Sequence, residues 1–249
     1  MERVWAEEFR IKFNEVDFNN RVKISTLFNY MQEAAVSHAL KLRMNYIQDS
    51  DEKNLIWVLS RTKIKIRENP GYREKIIIET WPKCIDGPFA VRDFLIKNDK
   101  SEEIAGATTA WLLVDLNSRR PIKVDLLREE MSLVEEKHGI NEPLLKLKQE
   151  WELQYSYKRQ AVYSDIDVNK HVNNTKYIDW IIDSFPPDFY KTKQLDSLRI
   201  DLLSETKLGD KLSIQKGHSP DNSNIIFFTC TNDKSLKRVF QAETKWIDI

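Results

Sequence analysis

Apolar and polar positions follow two different periods along this chain, and the two periods predict its secondary structure. In residues 24–42 the apolar side chains recur every three or four positions, the spacing of one face of an α-helix. Shorter stretches alternate apolar and polar residues, which is typical of strands with one buried face. They occupy residues 57–67, 75–81, 89–97 and 104–114, and then 198–203, 211–216, 225–231 and 239–249.

A second and shorter helix is predicted to begin near residue 174. Its apolar positions are Tyr177, Ile178, Ile181, Ile182 and Phe185. Asn173 or Asn174 is placed to cap its start, and the pair Pro186-Pro187 is placed to stop it. Both helices therefore follow a polar loop.

The two halves of the chain repeat one another. Subtracting 150 aligns the polar stretch 164–177, S-D-I-D-V-N-K-H-V-N-N-T-K-Y, with residues 14–27, but sets Arg21 against His171. The turn N-D-K-S recurs at 98–101 and 232–235. Each copy is predicted to be one strand, one helix and about four further strands, an α+β arrangement in which an antiparallel sheet wraps around a central helix. We expect the boundary near residue 150, with a helical connector from about residue 117.

Composition narrows the class of protein. The 249 residues include 39 basic and 39 acidic side chains, so no global charge attracts nucleic acid. The N-terminus has no apolar core of signal-peptide length, and the longest apolar runs are far too short to span a bilayer. Cys84 and Cys230 are isolated, so there is neither a disulfide framework nor a metal-ligand spacing. We therefore expect a cytoplasmic protein that has no membrane span, needs no metal or other cofactor and binds no nucleic acid.

The first half carries Trp57, Arg61, Pro70 and the pair Thr80-Trp81, and the second carries D-V-N-K-H-V-N-N-T-K-Y at 167–177. These marks resemble the fatty acyl-acyl-carrier-protein thioesterases of plants and bacteria, whose chains are two fused hotdog domains. The resemblance covers nearly the whole chain. It implies a tandem (double) hotdog with an acyl-binding domain at 1–150, a catalytic domain at 151–249, and acyl carrier protein as partner. Homodimer formation is left open.

The resemblance also implies an active site in the second copy. Matched position by position, it consists of Asp167, Asn169, His171 and Glu205, the last expected on the strand after the second helix. His171 and Glu205 suit the task of holding and deprotonating water, while Asp167 orients the loop or the ring and Asn169 donates an amide hydrogen. Which carboxylate is the base stays open. Many plant members carry a cysteine at the position of Thr206, so its absence here favours direct attack by water.

Two further groups of residues are expected to contact the substrate. Backbone N–H groups around Val172, Asn173 and Asn174 begin the second helix and point its dipole at a developing oxyanion. The resemblance places the acyl chain in the first copy, where Ala34, Ala35 and Ala39 leave room for it.

The first copy lacks the ionisable pair. Arg21 stands for His171 and, at an offset of 136, Asn69 stands for Glu205. Copy one nevertheless keeps Asp17 and Asn19, which suggests that these residue types build the loop in both copies.

Other interpretations of the same residues stay open. The fold also carries acyl-CoA thioesterases, enoyl hydratases and dehydratases, and a non-catalytic acyl-binding protein is conceivable. The spacing argues against the hydratases, because His171 follows Asp167 by four residues rather than five and no proline intervenes. The alternating cations Lys63, Lys65 and Arg67 suit either a solvated strand face or docking of an acidic carrier protein. His38 lies off the main apolar stripe of the first helix and is expected to be unremarkable.

Overall fold

A computed structural model of the chain describes residues 3–42, 54–129, 131–147, 152–153 and 155–249. The chain divides into two compact units, Met1–Leu144 and Leu145–Ile249. Each unit is an antiparallel sheet with a helix against one face, which confirms the predicted architecture of the two copies.

Within its described residues, the first unit has five main strands and one long helix. The helix α1 spans Ile24–Lys41. The strands are β1 (Trp5–Arg10), β2 (Leu55–Ile66), β3 (Lys75–Asp86), β4 (Phe89–Asn98), β5 (Glu103–Asp115) and the two-residue β6 (Arg120–Pro121). They pair antiparallel in the order β1-β3-β4-β5-β2, with β6 beside β5.

The second unit repeats this topology. Its helices are α2 (Asn174–Ile182) and the single turn α3 (Phe189–Thr192), and its strands are β7 (Tyr155–Gln160), β8 (Lys193–Leu202), β9 (Lys211–His218), β10 (Ile225–Asn232) and β11 (Arg238–Asp248). Their order is β7-β9-β10-β11-β8. When β7 to β11 are matched with β1 to β5, the two orders are identical, so the internal repeat is structural as well as sequential.

The recurring N-D-K-S turn closes the same hairpin in both units. Asn98 ends β4, and its side-chain oxygen accepts hydrogen bonds from the backbone N–H groups of Lys100 and Glu102. Asn232 ends β10, and its side chain accepts from Lys234 N and Ser235 N. An asparagine that replaces backbone acceptors with its own amide oxygen explains why the motif occurs at both turns.

The predicted helical connector is wrong. The described residues from 117 to 147 contain β6 and a 3-10 turn at Val124–Leu127, and no α-helix. Residues 131–144, here called the strap, instead run along β3 and β4, where Lys137 O accepts from the indole of Trp81. Three isolated apolar residues of the strap are buried, namely Met131, Val134 and Ile140. Their irregular spacing does not form the continuous apolar stripe of a helix.

The strap is fixed to the sheet by its backbone. Val134 N donates to Pro82 O at 2.9 Å, and Gly139 N donates to the carboxylate of Asp93 at 2.8 Å. A Cβ atom on Gly106 of β5 would lie 2.1 Å from the carbonyl oxygen of Gly139. Because no side chain fits at this crossing, glycine is required where the strap meets β5.

Candidate active site

The polar loop before α2 is a tight turn that presents His171. Asp167 N donates to His171 O at 2.9 Å, and Lys170 N donates to Asp167 O at 3.0 Å. The side-chain oxygen of Asp167 accepts a third bond from Asn169 N at 2.9 Å. Lys170 has φ of 63°, a left-handed conformation that the surrounding hydrogen bonds hold in place. Asp167 therefore shapes the loop.

Two backbone hydrogen bonds anchor this loop and bring Glu205 to His171. Val172 N donates to Thr206 O at 2.9 Å, and Asn173 N donates to Asp165 O at 2.8 Å. Glu205 adjoins Thr206, and its Oε2 lies 3.1 Å from His171 Nε2. Glu205 belongs to the loop after β8, three positions beyond Leu202, rather than to the strand where it was expected. The loop position lets its side chain reach back to the histidine.

An ionised Glu205 beside Nε2 favours the histidine tautomer that carries its proton on that nitrogen. In that tautomer Nδ1 keeps its lone pair and is the nitrogen that can accept a proton. The side chains of His171 and Glu205 are 29% and 50% exposed, so water and substrate can reach them. The pair thus combines an accessible base atom with a carboxylate that can stabilise the protonated ring.

The first unit builds the same loop without this pair. Asp17 N donates to Arg21 O at 2.8 Å, and Val22 N donates to Pro70 O at 2.8 Å. Asn20 has φ of 58°, matching Lys170. The bond to Pro70 corresponds to the bond to Thr206, which supports the offset of 136 and matches Asn69 with Glu205. The shared aspartates are therefore turn builders, and the imidazole and carboxylate occur together only in the second loop.

The helix start contradicts part of the oxyanion prediction. The N–H groups of Val172 and Asn173 already donate to Thr206 and Asp165, so the prediction is wrong for these two amides. The side chain of Asn173 accepts from both the backbone N–H and the hydroxyl of Thr175, which makes it the N-cap of α2. Asn174, whose N–H begins the helix, stays a candidate donor, as does the exposed amide of Asn169.

Neither thiol suits nucleophilic chemistry. Cys230 is 0% exposed, and burial raises its pKa to about 12. Burial also raises the pKa of Cys84 in the first unit. Both stay protonated near neutral pH, whereas a thiolate is the attacking species. The hydroxyl-bearing Thr206, also fully buried, offers no replacement.

Small residues distinguish the interior of the first unit from that of the second. Ala34 and Ala35 are buried on α1, and Ala39 is partly buried one turn later. At an offset of 150, Ala35 matches Phe185, and at an offset of 135, Ala105 matches Phe240. In the second unit these two rings pack against aromatic neighbours of the core, namely Phe228, Trp246 and Tyr177. The first unit has methyl groups where the second has phenyl rings.

The cations considered for carrier docking have partners within the first unit. Lys63 and Lys65 both bind the carboxylate of Glu142 on the strap, and Arg67 binds Glu103 at 3.3 Å. Hydrogen bonds from the two lysines hold the pKa of Glu142 at about 2. These contacts favour the structural interpretation of the three cations.

Two residues in the first unit were not anticipated from the sequence. His38 was expected to have no special role, but its side chain is fully buried. Its Nδ1 lies 3.2 Å from an Nη atom of Arg92. Arg92 stands on β4 among Ala90, Phe94 and Ile96, which share its face. A charged residue in an otherwise apolar alternation was the available signal.

In the described ranges no helix is both long and apolar enough to cross a membrane. The same residues contain no group of three or more His, Cys, Asp or Glu side chains arranged to hold a metal ion.

Comparison with known proteins places this geometry in a family. Residues 2–130 match the family model of the acyl-ACP thioesterase N-terminal domain, and residues 146–248 match that of the C-terminal domain. An oleoyl-acyl carrier protein thioesterase of Coriandrum sativum is 29% identical over 83% of this chain and 60% of its own length. A palmitoyl-acyl carrier protein thioesterase of Gossypium hirsutum is 24% identical over 98% of this chain and 63% of its own. The chain thus spans less than two thirds of these plant proteins.

Solved structures agree on the fold. An acyl-ACP thioesterase from Bacteroides thetaiotaomicron superposes with a TM-score of 0.80 at 26% identity, covering 98% of both chains. A 12:0-ACP thioesterase from Umbellularia californica gives a TM-score of 0.88 at 21% identity, covering 100% of this chain and 99% of its own. The expected double hotdog is confirmed, and the two family models together extend over nearly the whole sequence. The chain belongs to the acyl-ACP thioesterase family.

Proposed function

We propose that this protein hydrolyses fatty acyl-acyl-carrier-protein thioesters to free fatty acid and carrier protein, and so ends fatty acid synthesis. The observation that carries the proposal is the contact of 3.1 Å between His171 and Glu205, present in one of two otherwise matching loops. One such pair is enough for acid-base catalysis, so its presence in a single copy is consistent with one active site per chain. The family membership supplies the substrate class.

In this proposal water attacks the thioester carbonyl directly. His171 Nδ1 accepts a proton from the water as its oxygen bonds to the carbonyl carbon, and Glu205 stabilises the resulting imidazolium through Nε2–H. The carbonyl oxygen gains negative charge, and in this proposal the amide groups of Asn169 and Asn174 donate hydrogen bonds to it. The carbon–sulfur bond then breaks, and the departing thiolate takes the proton from the imidazolium. No covalent acyl-enzyme forms.

The acyl chain is assigned to the first unit in the same proposal. The alanines at 34, 35 and 39 support this assignment, because the matching interior of the second unit contains aromatic rings. Acyl carrier protein is the proposed partner. A cytoplasmic location stays a prediction from the sequence, and homodimer formation stays open.

The proposal is tested by following free thiol from purified protein supplied with acyl-carrier-protein thioesters. Acyl-CoA of the same chain length is the parallel substrate, and a folded His171→Ala variant is the control. We expect His171-dependent release of thiol, faster from the carrier protein. Faster release from acyl-CoA would show that acyl-CoA, and not the carrier-protein thioester, is the preferred substrate. Consumption of an enoyl thioester without thiol release would indicate a hydratase. Binding without either reaction would indicate a non-catalytic acyl-binding protein.

A further inference from the structure

Polar side chains cross the interior of the first unit on the sheet face that contacts α1. Thr62 of β2 pairs in register with Thr109 of β5, and Thr109 pairs with Arg92 of β4. Thr80 of β3 accepts a hydrogen bond from Arg92 at 3.2 Å, and His38 of α1 lies at the same distance from Arg92. These five residues, here called the polar belt, span four adjacent strands where a hydrophobic core is expected.

The charge of Arg92 is not neutralised within the described residues. A guanidinium can only donate, so His38 Nδ1 accepts and its ring is neutral. No described carboxylate forms an ion pair with Arg92, and burial lowers its pKa to about 10. Arg92 nevertheless keeps some accessible surface. Buried cations usually have an anionic or strongly polar partner.

A second residue of the polar belt points independently to a ligand. Thr62 is 1% exposed, and its hydroxyl has no hydrogen-bond partner among the described residues. By contrast, the Thr109 hydroxyl donates to Arg92 O and accepts from the indole of Trp111. A buried hydroxyl without a partner is uncommon in native interiors, and an incoming polar group would satisfy it.

His38 of the polar belt lies among the alanines of α1, between Ala35 and Ala39. His38 follows Ala34 and Ala35 by one turn of α1, so its side chain stands next to theirs on the same helix face. At the offset of the recurring turn, the second unit has Ile226 where the first has Arg92. The first unit therefore combines the smaller interior side chains with a cation at the position that is apolar in the second unit.

We infer that the polar belt binds an oxygen atom carried on the acyl chain, and that the substrates include hydroxylated or keto-bearing fatty acyl thioesters. This inference rests on the proposed function and specifies its substrate class. A hydroxyl or ketone oxygen accepts from Arg92. Thr62 stands on β2, two strands away from Arg92 on β4, so it pairs with a hydroxyl at a different position along the chain. A plain methylene at either place leaves the group there unsatisfied, and a site built to hydrogen-bond a substrate discriminates strongly against an analogue that lacks the group.

Hydrolysis of matched substrates tests the inference. Hexadecanoyl-carrier protein is compared with its positional hydroxy isomers in wild type and in Thr62→Val, which keeps the side-chain shape. Thr108→Val is the control, because the Thr108 hydroxyl is also buried without a described partner but belongs to the other face of β5. We expect at least one isomer to exceed the plain chain in kcat/KM, and Thr62→Val to reduce that ratio about fivefold, the scale of one hydrogen bond. Thr108→Val should leave the ratio unchanged.

A binding measurement separates this inference from the proposed function. Calorimetry with free hexadecanoic acid and the same hydroxy isomers needs no turnover, so it applies even if no thioester is hydrolysed. Tighter binding of one isomer to wild type, reduced in Thr62→Val or in a folded Arg92→Met variant, would support the polar belt. Plain chains bound and hydrolysed as well as every isomer, or a preference unchanged in both variants, would overturn the inference while leaving hydrolysis intact.

Discussion

Replacing His171 or Glu205 should separate the roles of the two residues. If His171 is the base and Glu205 its electrostatic partner, Glu205→Gln removes the carboxylate charge that lies 3.1 Å from His171 Nε2, an interaction comparable in strength to a charge-assisted hydrogen bond. Such bonds contribute about 1.5–3 kcal/mol. Both side chains are partly exposed, so the lower end applies, and about 1.5 kcal/mol corresponds to roughly a tenfold fall in kcat. His171→Ala removes the base and should lower kcat at least about a hundredfold.

The assay is release of thiol at saturating acyl-carrier protein, so that docking defects do not enter kcat. Arg21→Ala and Asn69→Ala are the matched controls in the first loop, and each should lower kcat by less than about threefold, because neither residue can accept a proton near neutral pH. All four variants are compared at equal thermal stability. Equal losses in the two loops would refute the assignment to the second unit. A Glu205→Gln loss as large as that of His171→Ala would make Glu205 the base.

Four further outcomes follow from the contacts described. The Cys84→Ala, Cys230→Ala double variant should keep kcat within about threefold, since both thiols stay protonated, and mass spectrometry should find no acylated residue. Ala35→Phe should shift the released fatty acids toward shorter chains by filling the first unit, and an unchanged chain-length profile in a stable variant would contradict that placement. Asn173→Ala should cost about 1 kcal/mol of unfolding free energy through loss of the α2 cap, measured by denaturant titration. Glu142→Gln should lower the melting temperature near neutral pH, and this difference from wild type should disappear on acidification. The pKa of Glu142 in the folded protein, about 2, lies below its unfolded value. The stabilisation by Glu142 is therefore present above the unfolded pKa and is lost as the pH falls toward 2.

The sequence predicts the elements well wherever one period persists. The long stripe of α1 and the alternating strands correspond to elements of the structure, because burial of one face requires those spacings. The pairing of His171 with Glu205 was available only through family resemblance, since 34 positions separate the two residues and their contact depends on the backbone bond from Val172 to Thr206.

The misses have identifiable physical causes. The strap is buried through single side chains and backbone hydrogen bonds, so its sequence has no regular period to read. His38 was set aside because helix periodicity counts apolar residues, whereas this imidazole is buried as the acceptor for Arg92. The N–H groups of Val172 and Asn173 looked free because their acceptors lie in other segments.

The strap determines where the chain can be cut. The match to the N-terminal family model ends at residue 130, before the strap begins. In a fragment ending there, Asp93 would lose the hydrogen bond donated by Gly139 N. Its carboxylate, now buried, would be exposed to solvent with Lys83 as its remaining partner. The truncation would also uncover the indole of Trp81, which packs against Val134. Chimeric proteins that exchange the first unit therefore need their junction after Leu144, so that each exchanged unit includes its own strap.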